Sequence, residues 1–291
     1  MPDNRSHHPK TAFVFAGGGS FGAIQVGMLR ALADHGVGAD LVVGSSVGAL
    51  NGSYYAGDPT PEGIARLEEI WRGLRRNDVF PLSWRSVAAF LVRRDFLVGS
   101  DALYALVERH LPYRNLEQAR IPVHVVTTDF LTGETVVLSD GPAARAIIAS
   151  AAIPAAFAPV LCGDRYLADG AISSNTAVNV AVAQGAERLI VLPTGYACAL
   201  HEPPTGAVAN ALHALTLLVA RQLTSDLHAL GDTVDFFVLP PLCPLVGSPY
   251  DFSHTGELIE RAAHDSAAWL AGGGLDRPGE LAQLSTHHHA T

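Results

Sequence analysis

The run Gly17-Gly18-Gly19-Ser20-Phe21-Gly22 constrains this chain more than any other segment. It follows a short apolar stretch, Thr11 to Ala16, and leads into Ile24, Met28, Ala31 and Leu32 at helical spacing. The order is therefore strand, glycine loop, helix. Glycines let successive backbone N–H groups turn toward one point, and a helix N-terminus adds partial positive charge there. Such a loop is built to hold an anion. Three readings compete: a dinucleotide phosphate site, an oxyanion hole and a merely tight turn. A dinucleotide site needs an acidic residue near the end of the second strand, and Gly44-Ser45-Ser46 stands there instead. The sequence disfavours that reading and leaves the other two open.

Beyond the loop, strand-like and helix-like segments keep alternating. Leu41 to Val43 gives a second strand, Ile121 to Thr127 a third, Leu189 to Leu192 a fourth and Val234 to Leu239 a fifth, mostly with helical patterns between them. The predicted class is α/β with a central, mainly parallel sheet. With 48% hydrophobic and 16% charged residues the core should be large. One domain is expected over residues 11–271, flanked by polar or glycine-rich tails at 1–10 and 272–291. The histidines near both ends are assigned no function. Residues Phe80 to Tyr113 are longer than a simple crossover needs.

A formal net charge of −9 argues against a nucleic-acid partner, since phosphate tracking rests on clustered Lys and Arg. It also disfavours attraction to anionic lipid, so any peripheral membrane contact would be apolar. Three cysteines without CxxC or Cys/His zinc spacing indicate neither a disulfide framework nor a metal site, and Cys162, Cys198 and Cys243 read as core thiols. No signal peptide or convincing membrane span is visible, which makes a cytoplasmic enzyme the default expectation.

A second motif, Gly44-Ser45-Ser46-Val47-Gly48, follows the apolar Leu41-Val42-Val43 and precedes a helical stretch through Tyr55. Small residues around the serine allow a sharp strand-to-helix turn that lifts its hydroxyl clear of the sheet, which is a nucleophile elbow. The spacing favours Ser46 over Ser45. On its own, GxSxG also arises by chance in glycine-rich chains, so a partner is required. His254 and His264 lie downstream in the order an α/β-hydrolase triad would need. However, only one strand and one helix precede the strand that leads to Ser46, whereas that fold reaches its elbow after several such units.

The third motif is Asp169-Gly170-Ala171, at the end of the short apolar segment from Tyr166. Here the chain resembles the patatin-like phospholipase family, which combines GxGxxG, GxSxG and DGG or DGA in this order. In this sequence the three are GGGSFG, GSSVG and DGA, and the surrounding GGGSFGAIQVGMLRAL, DLVVGSSVGALNG and ASAAIPAAFAPV also look like that family's blocks. The resemblance implies a three-layer α/β/α fold and a Ser–Asp dyad without catalytic histidine, needing no cofactor or metal. Carried over, it makes Ser46 the nucleophile and Asp169 the proton acceptor, with the N–H groups around Gly18, Gly19 and Ser20 at the oxyanion. One departure is Phe21, where many members carry Arg or Lys, so a positive charge beside the anion site is missing.

The expected activity is hydrolysis of lipid or other acyl esters, of the phospholipase A, lysophospholipase or esterase type, through an acyl-serine. The alternatives are acyl transfer from the same intermediate and a non-catalytic binding protein on the same scaffold. Asn175 reads as an exposed helix cap, with positioning of the DGA turn as the other reading. Trp84, Phe90 and Leu91 fall on one face of a helix, either as ordinary core or as an acyl pocket over Ser46.

Overall fold

The computed structural model describes residues 8–80, 99–154, 156–195, 205–231, 233–243, 245, 248–281 and 284. Eight strands form one sheet in the order β5-β6-β3-β2-β1-β7-β8, with β4 also pairing with β3. They are β1 (Thr11–Phe15), β2 (Leu41–Ser45), β3 (Val123–Asp129), β4 (Thr135–Leu138), β5 (Val160–Cys162), β6 (Arg165–Asp169), β7 (Arg188–Leu192) and β8 (Asp235–Val238). The five strands expected from the sequence are the five that pair in parallel, β1, β2, β3, β7 and β8. β4 and β6 pair antiparallel to β3, and β5 antiparallel to β6.

Helices cover both faces, which is why the central strands read as continuous apolar runs rather than alternating ones. Phe13 and Phe15 of β1 join the core beneath helices Gly22–Asp34, Val47–Gly57 and Thr255–Ala271. Ala12 and Val14 face the opposite way and pack with Val178 and Ala181 of helix Val178–Ala183 and Leu223 and Leu227 of helix Ala207–Leu230. The outcome is the three-layer α/β/α arrangement.

Strand order places the site. From β1 the chain moves to β2 on one side, whereas the other neighbour of β1 is the much later β7. At such a switch point the loops leaving the carboxyl ends of adjacent strands diverge and open a crevice. The glycine loop leaves β1 here, and GSSVG leaves β2 beside it.

Two expectations change. Packing continues past Gly272: the Gly279 N–H donates to the Phe236 carbonyl at 2.9 Å, and Leu284 is buried in the same hydrophobic cluster as Phe236 and Val238 of β8. The three cysteines are not all core thiols, because Cys243 takes part in a disulfide while half-buried Cys162 is free. Spacing alone does not reveal such a pairing when no CxxC is present. Among the described residues no helix is long and apolar enough to cross a membrane, and no group of three or more His, Cys, Asp or Glu could hold a metal ion.

Candidate active site

Ser46 stands between the last residue of β2 and the first turn of helix Val47–Gly57, with φ 53° and ψ −125°. Among the described residues it is the one non-glycine residue of positive φ. Such a backbone costs roughly 1–3 kcal/mol and persists only where the surroundings enforce it. The flanking glycines are part of that enforcement. A Cβ on Gly44 would lie 2.6 Å from the Gly48 carbonyl carbon, and one on Gly48 would lie 2.7 Å from the Ala16 carbonyl oxygen. A side chain at Gly48 would push the elbow off the end of β1, and one at Gly44 would push the start of helix Val47–Gly57 off β2.

The Ser46 hydroxyl donates to Asp169 Oδ2 at 2.7 Å. Both residues are buried. Register explains why they meet across an intervening strand: Ser45 pairs with Val126 of β3, and Thr127 of β3 pairs with Asp169 of β6. Ser46 and Asp169 thus stand level on either side of β3. The other carboxylate oxygen, Oδ1, accepts the Ala171 N–H at 2.8 Å, which fixes the acid on its Gly170 turn. Burial pushes the Asp169 carboxyl up to about 6, partly offset by its bonds from Ser46 and Ala171. No histidine among the described residues bonds to either group. His254 caps helix Thr255–Ala271 with its ring exposed and 3.6 Å from Glu257, and His264 lies exposed on the same helix.

The glycine loop packs directly on the serine, since a Cβ on Gly17 would come within 3.1 Å of the Ser46 Cβ. Its donors are not equivalent. The Gly17 N–H goes to the Asn175 carbonyl, the Ser20 N–H to the Pro249 carbonyl at 2.8 Å and the Phe21 N–H to the Gly18 carbonyl. Gly22 bonds to the carbonyls of Gly19 and Ser20. Among the described residues no acceptor takes the N–H of Gly18 or Gly19. Of the three donors expected at the oxyanion, Ser20 is therefore already committed, and Gly18 and Gly19 remain. Gly19 has φ 60°, a conformation that glycine adopts without strain. Phe21 is half-buried against the core, so no cation stands at that position.

Several residues that sequence reasoning passed over hold these pieces in place. Ser150 Oγ accepts the Ser46 N–H at 2.8 Å and donates to the Val126 carbonyl at 2.6 Å. Thr194 Oγ1 donates to the Gly17 carbonyl at 2.6 Å. A buried relay runs from Trp71 Nε1 to Asn51 Oδ1, from Asn51 Nδ2 to Gln25 Oε1 and the Gly22 carbonyl, and from Gln25 Nε2 to the Ala16 and Leu192 carbonyls. Gln25 and Asn51 are inaccessible to solvent, and their bonds tie both ends of the glycine loop to helix Val47–Gly57. A polar residue inside an apolar helical face was the available signal. Asn175 is buried rather than an exposed cap, and its carbonyl holds the loop at Gly17.

Near the site, Phe80, Phe157, Tyr250 and Phe252 make an aromatic wall: the Phe80 ring stacks on Phe157 at 5.5 Å and meets Tyr250 edge-on at 5.3 Å. Burial, and after it the Asp169 carboxylate, push the Tyr250 phenol above its ordinary value, so it stays protonated. Trp84, Phe90 and Leu91, expected as an acyl pocket, lie outside the described residues.

A family model described as patatin-like phospholipase matches residues 13–182, which takes in the glycine loop, the elbow and the DGA turn. The chain belongs to the patatin-like phospholipase family. Curated relatives agree. The patatin-like phospholipase domain-containing protein M110.7 of Caenorhabditis elegans is 29% identical over 62% of this chain, and the NTE family protein Rv1063c of Mycobacterium tuberculosis is 34% identical over 57% of it. This patatin-like chain matches only 16% of the first relative's length and 44% of the second's. Among solved structures, VipD from Legionella pneumophila matches with a TM-score of 0.52 at 15% identity, covering 91% of this chain and 67% of VipD, a likeness of fold.

Proposed function

We propose that this chain hydrolyses acyl esters of lipids, with Ser46 as nucleophile, Asp169 as general base and the Gly18 and Gly19 N–H groups as the oxyanion hole. The observation that carries the reading is the 2.7 Å bond from the Ser46 hydroxyl to a fully buried Asp169 carboxylate, on a serine held at positive φ. A serine that is only structural has no need of that backbone.

The steps follow from the geometry. Ser46 Oγ attacks the ester carbonyl carbon as its proton passes to Asp169 Oδ2. The carbonyl oxygen, now carrying the charge that left the aspartate, turns toward the two unpaired N–H groups and the N-terminus of helix Val47–Gly57. Collapse of the tetrahedral intermediate breaks the bond to the leaving alkoxide, which takes the proton from Asp169. Water then attacks the acyl-serine, Asp169 accepts its proton, and the acid departs as the proton returns to Ser46.

An aspartate is a weak base in water, and burial is what makes it adequate here. Raised to about 6, Asp169 is a better proton acceptor than a solvated carboxylate and is still largely ionised at neutral pH. The acyl chain has a natural wall in Phe80, Phe157 and Tyr250. Intact-mass analysis after treatment with a fluorophosphonate ester tests the reading: one adduct is expected, mapping to Ser46 and absent from Ser46→Ala. An adduct on another residue, or none, would refute it.

A further inference from the structure

Eight large hydrophobic side chains are exposed among the described residues, and all but Tyr104 gather at one end of the sheet. Single exposed leucines are ordinary, whereas a contiguous group marks an interaction surface. The group is contiguous by register. Leu161 of β5 pairs with Tyr166 of β6, and the Phe130 N–H, one residue past the end of β3, donates to the Tyr166 carbonyl at 2.8 Å. These three side chains form a row across the edge of the sheet. Leu131, 77% exposed, continues the row. Its backbone is organised, because Asp129 Oδ1 accepts the N–H groups of Leu131 and Thr132 and the Asp129 carbonyl accepts that of Gly133.

The row runs on toward the Asp169 carboxylate. Thr128, which shares a sheet face with Phe130, bonds to Ser173 Oγ at 2.9 Å, and Ser173 belongs to helix Ala171–Ser174, which starts two residues after Asp169 and exposes Ile172. Gln222 Nε2 donates to the Ser173 carbonyl, and one turn earlier on helix Ala207–Leu230 Leu218 is 65% exposed beside Leu217. Phe130 and Tyr166 lie three residues beyond the level of Ser46 and Asp169, roughly 10 Å.

We propose that this crest is the surface by which the protein seats on a zwitterionic lipid bilayer, with its apolar side chains inserted at the acyl boundary. The assignment rests on the acyl-hydrolase reading, which puts a lipid substrate at the adjoining site. Charge decides which bilayer. Three arginines border the crest: Arg165 on β6 stands 3.9 Å from Asp129 and 4.0 Å from Glu134, Arg145 donates to the Leu161 carbonyl, and Arg221 lies exposed on helix Ala207–Leu230, against a chain charge of −9. An anionic surface is repelled, so binding comes from apolar insertion, with Tyr166 at headgroup level as tyrosines sit at membrane interfaces.

Flotation with vesicles of diether phosphatidylcholine, which offer the surface without a cleavable ester, tests the assignment on the full chain. Wild type should float with the vesicles. Leu131→Asp and Leu218→Asp should each lower the partition coefficient by roughly tenfold or more. Tyr104→Asp, off the crest, should not. Fluorophosphonate labelling of Ser46 should stay unchanged in all three variants, which separates lost docking from lost folding. Binding that ignores the crest substitutions, no binding by wild type, or binding confined to phosphatidylserine vesicles would overturn the assignment. So would a wild-type dimer in light scattering that these variants make monomeric, which would make the crest a face between copies. Failure of the hydrolase reading looks different: vesicles bound through the crest by a chain whose Ser46 takes no label.

Discussion

β2 and β6 deliver Ser46 and Asp169, the two halves of the proposed dyad, from opposite kinds of structure. β2 is buried along its whole length between parallel neighbours and ends in a backbone conformation that only close packing sustains. β6 is an antiparallel strand near the edge, exposed at Arg165 and Tyr166 and buried only over Leu167 to Asp169. The proposed nucleophile, Ser46, is thereby strained and buried, while Asp169, the proposed base, sits where the interior gives way to the exposed crest. What the contrast teaches is a division of labour. The parallel centre supplies geometry, and the antiparallel edge supplies a desolvated charge beside a surface that can receive substrate.

The largest expected effect tests whether the two halves act as one unit. Ser46→Ala and Asp169→Asn should each lower kcat/KM for ester hydrolysis on the order of 10⁴-fold, and the double variant should be hardly worse than either. His254→Ala and His264→Ala should keep most activity. Steady-state kinetics on a short soluble ester gives the comparison, and additive losses would mean that the serine and the aspartate serve different steps. In wild type kcat/KM should rise as Asp169 loses its proton, with a midpoint near its value of about 6.

The buried centre should also be the intolerant region. Asn51→Ala removes the partner of Trp71 Nε1, Gln25 Oε1 and the Gly22 carbonyl at once, all of them in dry surroundings. Stranding buried polar groups should cost about 3 kcal/mol in urea unfolding and displace the glycine loop, lowering kcat as well. A loss below about 1 kcal/mol with full activity would show that the relay does not hold the loop.

How much of this was legible in the sequence follows the same divide. The five parallel strands announce themselves as apolar runs because both of their faces are covered, and GGGSFG, GSSVG and DGA are legible because each depends on glycine at fixed positions. β4 and β5 escape because they are short and half-exposed, so they carry no strong pattern. Ser150, Thr194 and Gln25 look like any polar residue in an apolar stretch until the chain folds and a partner more than a hundred residues away, as for Ser150 and Ser46, explains them, and Asn51 until helices 20 to 29 residues apart close around it. Asp169 is the instructive intermediate: its motif was visible, but its level with Ser46 depends on the register of β3 with two neighbours.

Asp169 should be costly to the fold as well as needed for chemistry. Its folded value of about 6 lies above the ordinary 3.8, so the native state binds the proton more readily than the unfolded chain. The acid's favourable contribution is complete below about pH 4 and is lost as pH rises through about 6. At pH 8 a displacement of about two pH units corresponds to roughly 3 kcal/mol of stability forgone. Asp169→Asn should therefore unfold at a higher urea concentration than wild type at pH 8, and the gap should narrow at pH 4. Equal stability at both pH values would show that the carboxyl is not desolvated in solution.

The smallest effect belongs to the edge. Arg165 on β6 is half-exposed and reaches Asp129 and Glu134 only at 3.9 Å and 4.0 Å. Contacts of that length in solvent are worth roughly 0 to 1 kcal/mol, and salt screens them further. Asp129 has firmer partners in the N–H groups of Leu131 and Thr132, at 3.0 Å and 3.3 Å, so its turn should survive without the arginine. Arg165→Ala should accordingly change stability by less than about 0.5 kcal/mol in urea unfolding and leave hydrolysis of a soluble ester untouched. A loss well above 1 kcal/mol, or a fall in activity on that ester, would mean that the edge strand transmits strain to Asp169 four residues along β6. The division between a rigid centre and a tolerant edge would then fail at the residue that joins them.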